Sequence, residues 1–144
     1  MSPERISLTA LDVEWQRLEV IAQNLANADA VLGPGAQEYQ PLRLVSGPKV
    51  SFDKAVHAGE TVNPDALQGV QVLGVEAQNV TPRRVYEPGN PQADAKGYVT
   101  YAGIDHAGEM TLLIRTSRAY EANVAALAAA RQMYAKALDI GKHA

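Results

Sequence analysis

Three histidines, a few aspartates and two glycine clusters are the places where this sequence could do chemistry. His106 and Glu109 stand one helical turn apart, a spacing that can present two metal ligands on one helix face. A bound metal needs three or four convergent ligands, and His57 and His143 sit in unrelated contexts. The plainer reading is solvated histidines and no metal site. Asp94 and Asp105 are available as a carboxylate pair of the kind that cleaves glycosidic bonds across a cleft. Nothing in the short middle of the chain shapes such a pocket. Gly33-Pro34-Gly35 and the Gly69 to Gly74 stretch are not phosphate loops, because no Lys-Ser or Lys-Thr follows them, and they read as turns. With no cysteine, disulfides and thiolate metal sites are excluded. The expectation is a chain that is not an enzyme and uses no cofactor.

Asn24, Asn27 and Asn123 carry more information. Asn27 fits the end of a helix, and the other two could simply face solvent. The sharper alternative buries Asn24 or Asn123 in a helix interface, where an amide fixes register at a cost in stability.

The elements that would hold these residues are marked by the helix breakers. Seven of the eight prolines lie between Pro34 and Pro91, and nine of the eleven glycines between Gly33 and Gly103. That concentration predicts helix, then turn-rich β structure, then helix. In the first helix, expected from about Ser7 to Asn27, Leu8, Leu11, Trp15, Leu18, Ala22 and Leu25 follow the alternating three-four spacing of a heptad seam. Val13, Val20 and Ile21 lie outside that seam and widen the apolar face, which implies more than one packing partner. The last helix is expected from Asp105, a natural N-cap, to about Gly141. Its seam runs Met110, Leu113, Ser117, Tyr120, Val124 and Leu127, then shifts to Ala130, Tyr134 and Ala137. Half of the residues from Ala122 to Ala137 are Ala, which favours helix and lets backbones approach closely.

At 1.5 Å per residue these helices would reach roughly 30 Å and roughly 50 Å. A chain of 144 residues packs into a radius of gyration of only ~15 Å. The longer helix is therefore expected to project, exposing an apolar seam that needs a partner. Between the helices, Val70 to Val75, Arg84 to Tyr86 and Tyr98 to Tyr101 read as strands, and Glu87-Pro88-Gly89-Asn90-Pro91 as a turn. Residues 31–63 show little periodicity and read as an extended arm with at most one hairpin. The fold class is α+β, with residues 1–30 and 105–144 as the helices of a coiled-coil core and residues 31–104 as a β-rich middle segment.

A net charge of −3 gives no electrostatic reason to expect nucleic acid. No run approaches the ~20 apolar residues that span a bilayer, so no direct membrane insertion is expected. Met1-Ser2-Pro3-Glu4-Arg5 lacks the basic and apolar regions of a signal peptide, so any export would proceed without a cleaved one. Residues 1–29 carry a net −3 and residues 105–144 a net +1, which favours contact between unlike helices over pairing of like ones.

Three stretches carry a resemblance. Leu18-Glu19-Val20-Ile21-Ala22-Gln23-Asn24-Leu25-Ala26-Asn27-Ala28-Asp29 resembles the N-terminal motif of bacterial flagellar rod and hook proteins. Arg118-Ala119-Tyr120-Glu121-Ala122-Asn123-Val124, preceded by Glu109-Met110, is similar to their C-terminal motif. Val85 to Asp94 and Gly97 to Tyr101 resemble a segment of the short proximal rod members. The chain departs from the family pattern at Ala30 (usually Thr), Asn90 (usually His) and Ala102-Gly103 (usually Pro-Asn).

The resemblance implies an axial protein of the flagellar basal body, exported by the flagellar type III apparatus and assembled in the periplasm. Its expected partners are copies of itself, other rod proteins, and the basal-body ring and export-gate proteins. Its assembly surface would be Leu8, Leu11, Trp15, Leu18, Ala22, Asn24 and Leu25 on the first helix. On the last helix it would be Met110, Leu113, Tyr120, Asn123, Val124, Leu127 and Tyr134. The alternatives are a different proximal rod protein, or a stand-alone β-rich binding module that oligomerises through a coiled coil.

Overall fold

In a computed structural model, which describes residues 3–31, 39–49 and 68–142, two helices flank two small antiparallel sheets. The first helix, α1, spans Pro3–Ala26. Proline suits a first helical position because its missing N–H would have had no partner there, and Glu4 adds favourable charge to the first turn. At the other end, the Asn27 N–H reaches the Gln23 carbonyl at 3.2 Å, and the Asn27 side chain donates to that same carbonyl at 2.7 Å. Asn27 thus closes the helix, as its position in the sequence suggests.

The last helix, α2, spans His106–Lys142. The Glu109 N–H donates to the Asp105 carbonyl at 2.9 Å, which makes Asp105 the N-cap. The Asp105 carboxylate lies over the first turn, where a Cβ on residue 108 would sit 2.5 Å from its Oδ2. Glycine at position 108 leaves room for the cap.

Strands β1 (Leu42–Pro48) and β2 (Val70–Ala77) form one sheet. Hydrogen bonds at its two ends, Lys49 N–H to Gly69 O and Gln78 N–H to Pro41 O, both 2.8 Å, set the antiparallel sense. β2 falls where the sequence predicts a strand, whereas β1 lies in the stretch that reads as an extended arm. The remainder of that arm lies outside the described residues.

Strands β3 (Arg83–Tyr86) and β4 (Tyr98–Tyr101) form the second sheet, with Val85 opposite Val99 and Tyr86 opposite Tyr98. Val99 is fully buried. The Tyr86 and Tyr98 rings meet edge to face at 5.3 Å, and the Arg84 guanidinium lies 4.9 Å above Tyr98. Asp94 ties the connecting loop. Its Oδ1 accepts the Lys96 and Tyr98 N–H groups at 2.8 and 2.9 Å, and Arg84 donates to its Oδ2 at 2.6 Å. The Tyr98 N–H chiefly, with the Lys96 N–H and Arg84, holds this carboxyl below its ordinary pKa against the effect of desolvation.

The chain divides into two compact units, each using part of both helices. One comprises the described parts of residues 1–16, 45–74 and 116–144, the other those of residues 17–44 and 75–115. In the first, Trp15 meets Tyr120 with ring centroids 6.2 Å apart, and Glu4 lies 3.9 Å from Arg131, so the two helices run in opposite directions there. The Thr9 hydroxyl of this unit accepts the Val70 N–H at 3.1 Å and joins α1 to the start of β2. In the second, Ala102 N–H reaches Ala30 O at 3.4 Å and Val31 bridges Tyr101, so the chain leaving α1 runs beside the end of β4.

Candidate assembly interface

The heptad seam of α1 and the face it buries against its own chain are different stripes of one helix. Val13 and Ile21, each 3% exposed, with Asn24, form the buried stripe, and Ala28 is buried in the turn that follows the helix. Of the seam, Leu8 is 48% and Trp15 54% exposed, Ala22 is also exposed, and Leu11, Leu18 and Leu25 are half-buried. Residues 13, 21 and 24 lie on one side of a 3.6-residue helix, rotated by about a third of a turn from the seam. α1 therefore has an inner stripe and an outer one, as the wide apolar face in the sequence suggests.

On α2, Leu127 is buried, Leu113, Tyr120 and Asn123 are half-buried, and Met110, Val124 and Tyr134 are exposed. Every residue from Arg131 to Gly141 is exposed, including Met133, Tyr134, Leu138 and Ile140. Of the candidate residues, the ring contact brings together Trp15 and Tyr120. Asn123 turns back on its own helix and donates to the Ala119 carbonyl at 3.0 Å.

Asn24 is fully buried, and its partners are not a second amide. Its Nδ2 donates to Leu42 O at 2.9 Å and to Glu109 Oε2 at 3.1 Å. Its Oδ1 accepts the Leu42 N–H and the Tyr39 hydroxyl, both at 2.9 Å. The other oxygen of Glu109 is paired with Arg43, whose guanidinium also donates to Leu42 O at 3.2 Å. Burial chiefly, together with the negative charge of Glu109, raises the Tyr39 phenol above its ordinary pKa, against a hydrogen bond with Asn27 that lowers it.

Tyr39 and Arg43 are not legible in the sequence as important residues. Tyr39 and Arg43 belong to a segment with no periodic pattern. Val13 and Ile21 are visible in the sequence only as apolar residues beside the seam, though their spacing with Asn24 is itself helical.

The residues that could have done chemistry have other work here. Asp94 holds its loop and Asp105 caps α2. His57 and His143 lie outside the described residues. Among the described residues no three His, Cys, Asp or Glu side chains converge as a metal site would require, and no helix is long and apolar enough to cross a membrane. An open cleft of about 380 Å³ lies beside Arg43, Gln78, Val80, Asp105 and Glu109. Its two acids are the cap and the partner of Arg43, an arrangement that serves the fold.

Known proteins show what the chain as a whole is similar to. Residues 95–140, which include most of α2, match the family described as flagellar basal body rod FlgEFG protein C-terminal. The chain is 41% identical over 137 residues to the flagellar basal-body rod protein FlgC of Escherichia coli O6:H1, covering 95% of this chain and 94% of that one. It is 34% identical over 142 residues to the protein of that name from Bacillus subtilis, covering 95% of each. With the FlgC protein of Borreliella burgdorferi it shares 29% identity over 141 residues, covering 94% of this chain and 93% of that one. Similarity of this degree from end to end places the chain in the FlgC family of flagellar basal-body rod proteins.

Proposed function

We propose that this chain is a structural subunit of the flagellar basal-body rod, and that its work is mechanical rather than catalytic. The observation that carries this reading is the near-full-length similarity to proteins named as basal-body rod subunits. The subunit polymerises through its terminal helices, which pair with those of neighbouring copies and other rod proteins as a coiled-coil core, and so forms one tier of a shaft that transmits torque. The outer stripe of α1 and the exposed end of α2 supply the apolar surface that such pairing requires. The acidic first helix and basic last helix favour contacts between unlike helices of neighbours. The subunit reaches the periplasm through the flagellar export apparatus and meets the basal-body ring and export-gate proteins there.

The experiment is a substitution in the α1 seam. Leu18 is half-buried in the single chain, between Trp15 and Ala22 along the seam. A carboxylate there would be unpaired once a neighbouring helix covered it, a penalty beyond lost packing. Leu18→Asp is expected to leave export intact and to block rod growth and motility. Lys96→Ala, at an exposed position outside both helices, is expected to change neither. Normal swimming of Leu18→Asp cells would show that the seam is not the assembly surface.

A further inference from the structure

The buried amide at position 24 joins three parts of the chain that are distant in sequence: α1, the segment leading into β1, and the first turn of α2. A carboxamide offers two N–H donors and an oxygen with two acceptor sites. All four are used here, by Leu42 twice, by Glu109 and by Tyr39. The two bonds to Leu42 take its N–H and its C=O together, as a neighbouring strand residue would. Asn24 therefore acts as a one-residue strand partner at the start of β1. Its remaining N–H is directed to Glu109, and Glu109 returns through Arg43 to the Leu42 carbonyl, closing a ring of four residues.

We propose that Asn24 is a positioning residue that makes docking of the 39–43 segment conditional on the register of α1 against α2. The carboxylate of Glu109 orients the amide together with the Leu42 backbone. A carboxylate accepts only, so it fixes which end of the amide carries the N–H groups, and with that the end that faces the Leu42 carbonyl. A slip of α2 by one residue rotates its side chains by about 100° around the helix and carries Glu109 away from Asn24. The amide would then keep an unsatisfied buried donor and Arg43 would lose its partner, leaving the segment held only by the amide's bonds to Leu42 and Tyr39. Asn24 thus reads helix register and transmits it to the chain path into the first sheet.

The test is amide exchange at Leu42 in the full-length chain, with the Val99 amide as a check that the second sheet stays folded. In the wild-type chain the Leu42 N–H is expected to be protected. Glu109→Ala, which removes no partner of that N–H, is expected to speed its exchange at least roughly tenfold while Val99 is unchanged. Asn24→Asp keeps an acceptor for Leu42 but sets a carboxylate against Glu109, and is expected to expose Leu42 as well. Adding Glu109→Gln restores a donor across the 24–109 contact and is expected to slow Leu42 exchange again in part. The proposal is overturned if Leu42 is unprotected in the wild-type chain, or if Glu109→Ala leaves its exchange unchanged. It is also overturned if Glu109→Ala exposes Val99 equally, or if the double variant exchanges no more slowly than Asn24→Asp alone.

Discussion

At the scale of single residues, the junction between β4 and α2 shows why one departure from the family pattern matters. The flagellar proteins that this chain resembles usually carry Pro-Asn where it has Ala102-Gly103. Ala102 is buried and its N–H faces the Ala30 carbonyl, a donor that proline lacks. Gly103 packs against the backbone of Thr81, so that an added Cβ would land on the Thr81 carbonyl oxygen and press on Val80 at 3.3 Å. A backbone atom cannot swing aside as the tip of a side chain can. Restoring the family residue by Gly103→Asn is therefore expected to destabilise the chain by about 1–3 kcal/mol, the usual cost of forcing atoms into a packed site. Urea denaturation of the single variant checks this, and an unchanged midpoint would mean that the junction shifts freely.

At the scale of elements, the two stripes of α1 differ in burial, and the proposed function assigns stability to one and association to the other. Ile21 is buried against its own chain, so Ile21→Ala is expected to cost about 2–5 kcal/mol in unfolding free energy. Leu8 is largely exposed, and Leu8→Ala is expected to stay within about 0.5 kcal/mol of the wild type while weakening assembly in cells. Denaturation curves and a motility assay on both variants separate the effects; equal losses of stability would merge the stripes. The same division explains what the sequence could tell. Helices, and the strands at Val70, Arg84 and Tyr98, announced themselves through periodicity and breakers, which are local properties of the chain. Which of two apolar stripes faces inward depends on contacts with distant segments, and a heptad pattern does not encode it. β1 was missed because Leu42-Arg43-Leu44-Val45 alternates weakly and one of its supports is a buried asparagine on α1. Asn24 could be singled out as a candidate for burial, but its partners Leu42 and Glu109 lie far off in sequence, and only the folded chain brings them together.

At the scale of the whole molecule, the burial of α2 stops short of its end. Leu127 is the last buried residue of the helix among those described, and Ala130 the last half-buried one. Beyond Ala130, the apolar side chains Met133, Tyr134, Leu138 and Ile140 are all more than half exposed. An isolated stretch of this length gains little from helix propensity alone, since short helices are marginal in water without packing. Association is the available source of that packing, and the matched family region extends through these residues to position 140. A chain ending at Arg131 keeps Leu127, the Trp15–Tyr120 contact and the surface ion pair between Glu4 and Arg131, which is worth at most about 1 kcal/mol. Its unfolding free energy is expected to match that of the full chain to within about 0.5 kcal/mol. Cells in which it replaces the full-length protein are expected to export it and yet build no rod and fail to swim. Wild-type swimming would remove the end of α2 from the assembly surface, and a large fall in unfolding free energy would assign those last turns to the fold instead.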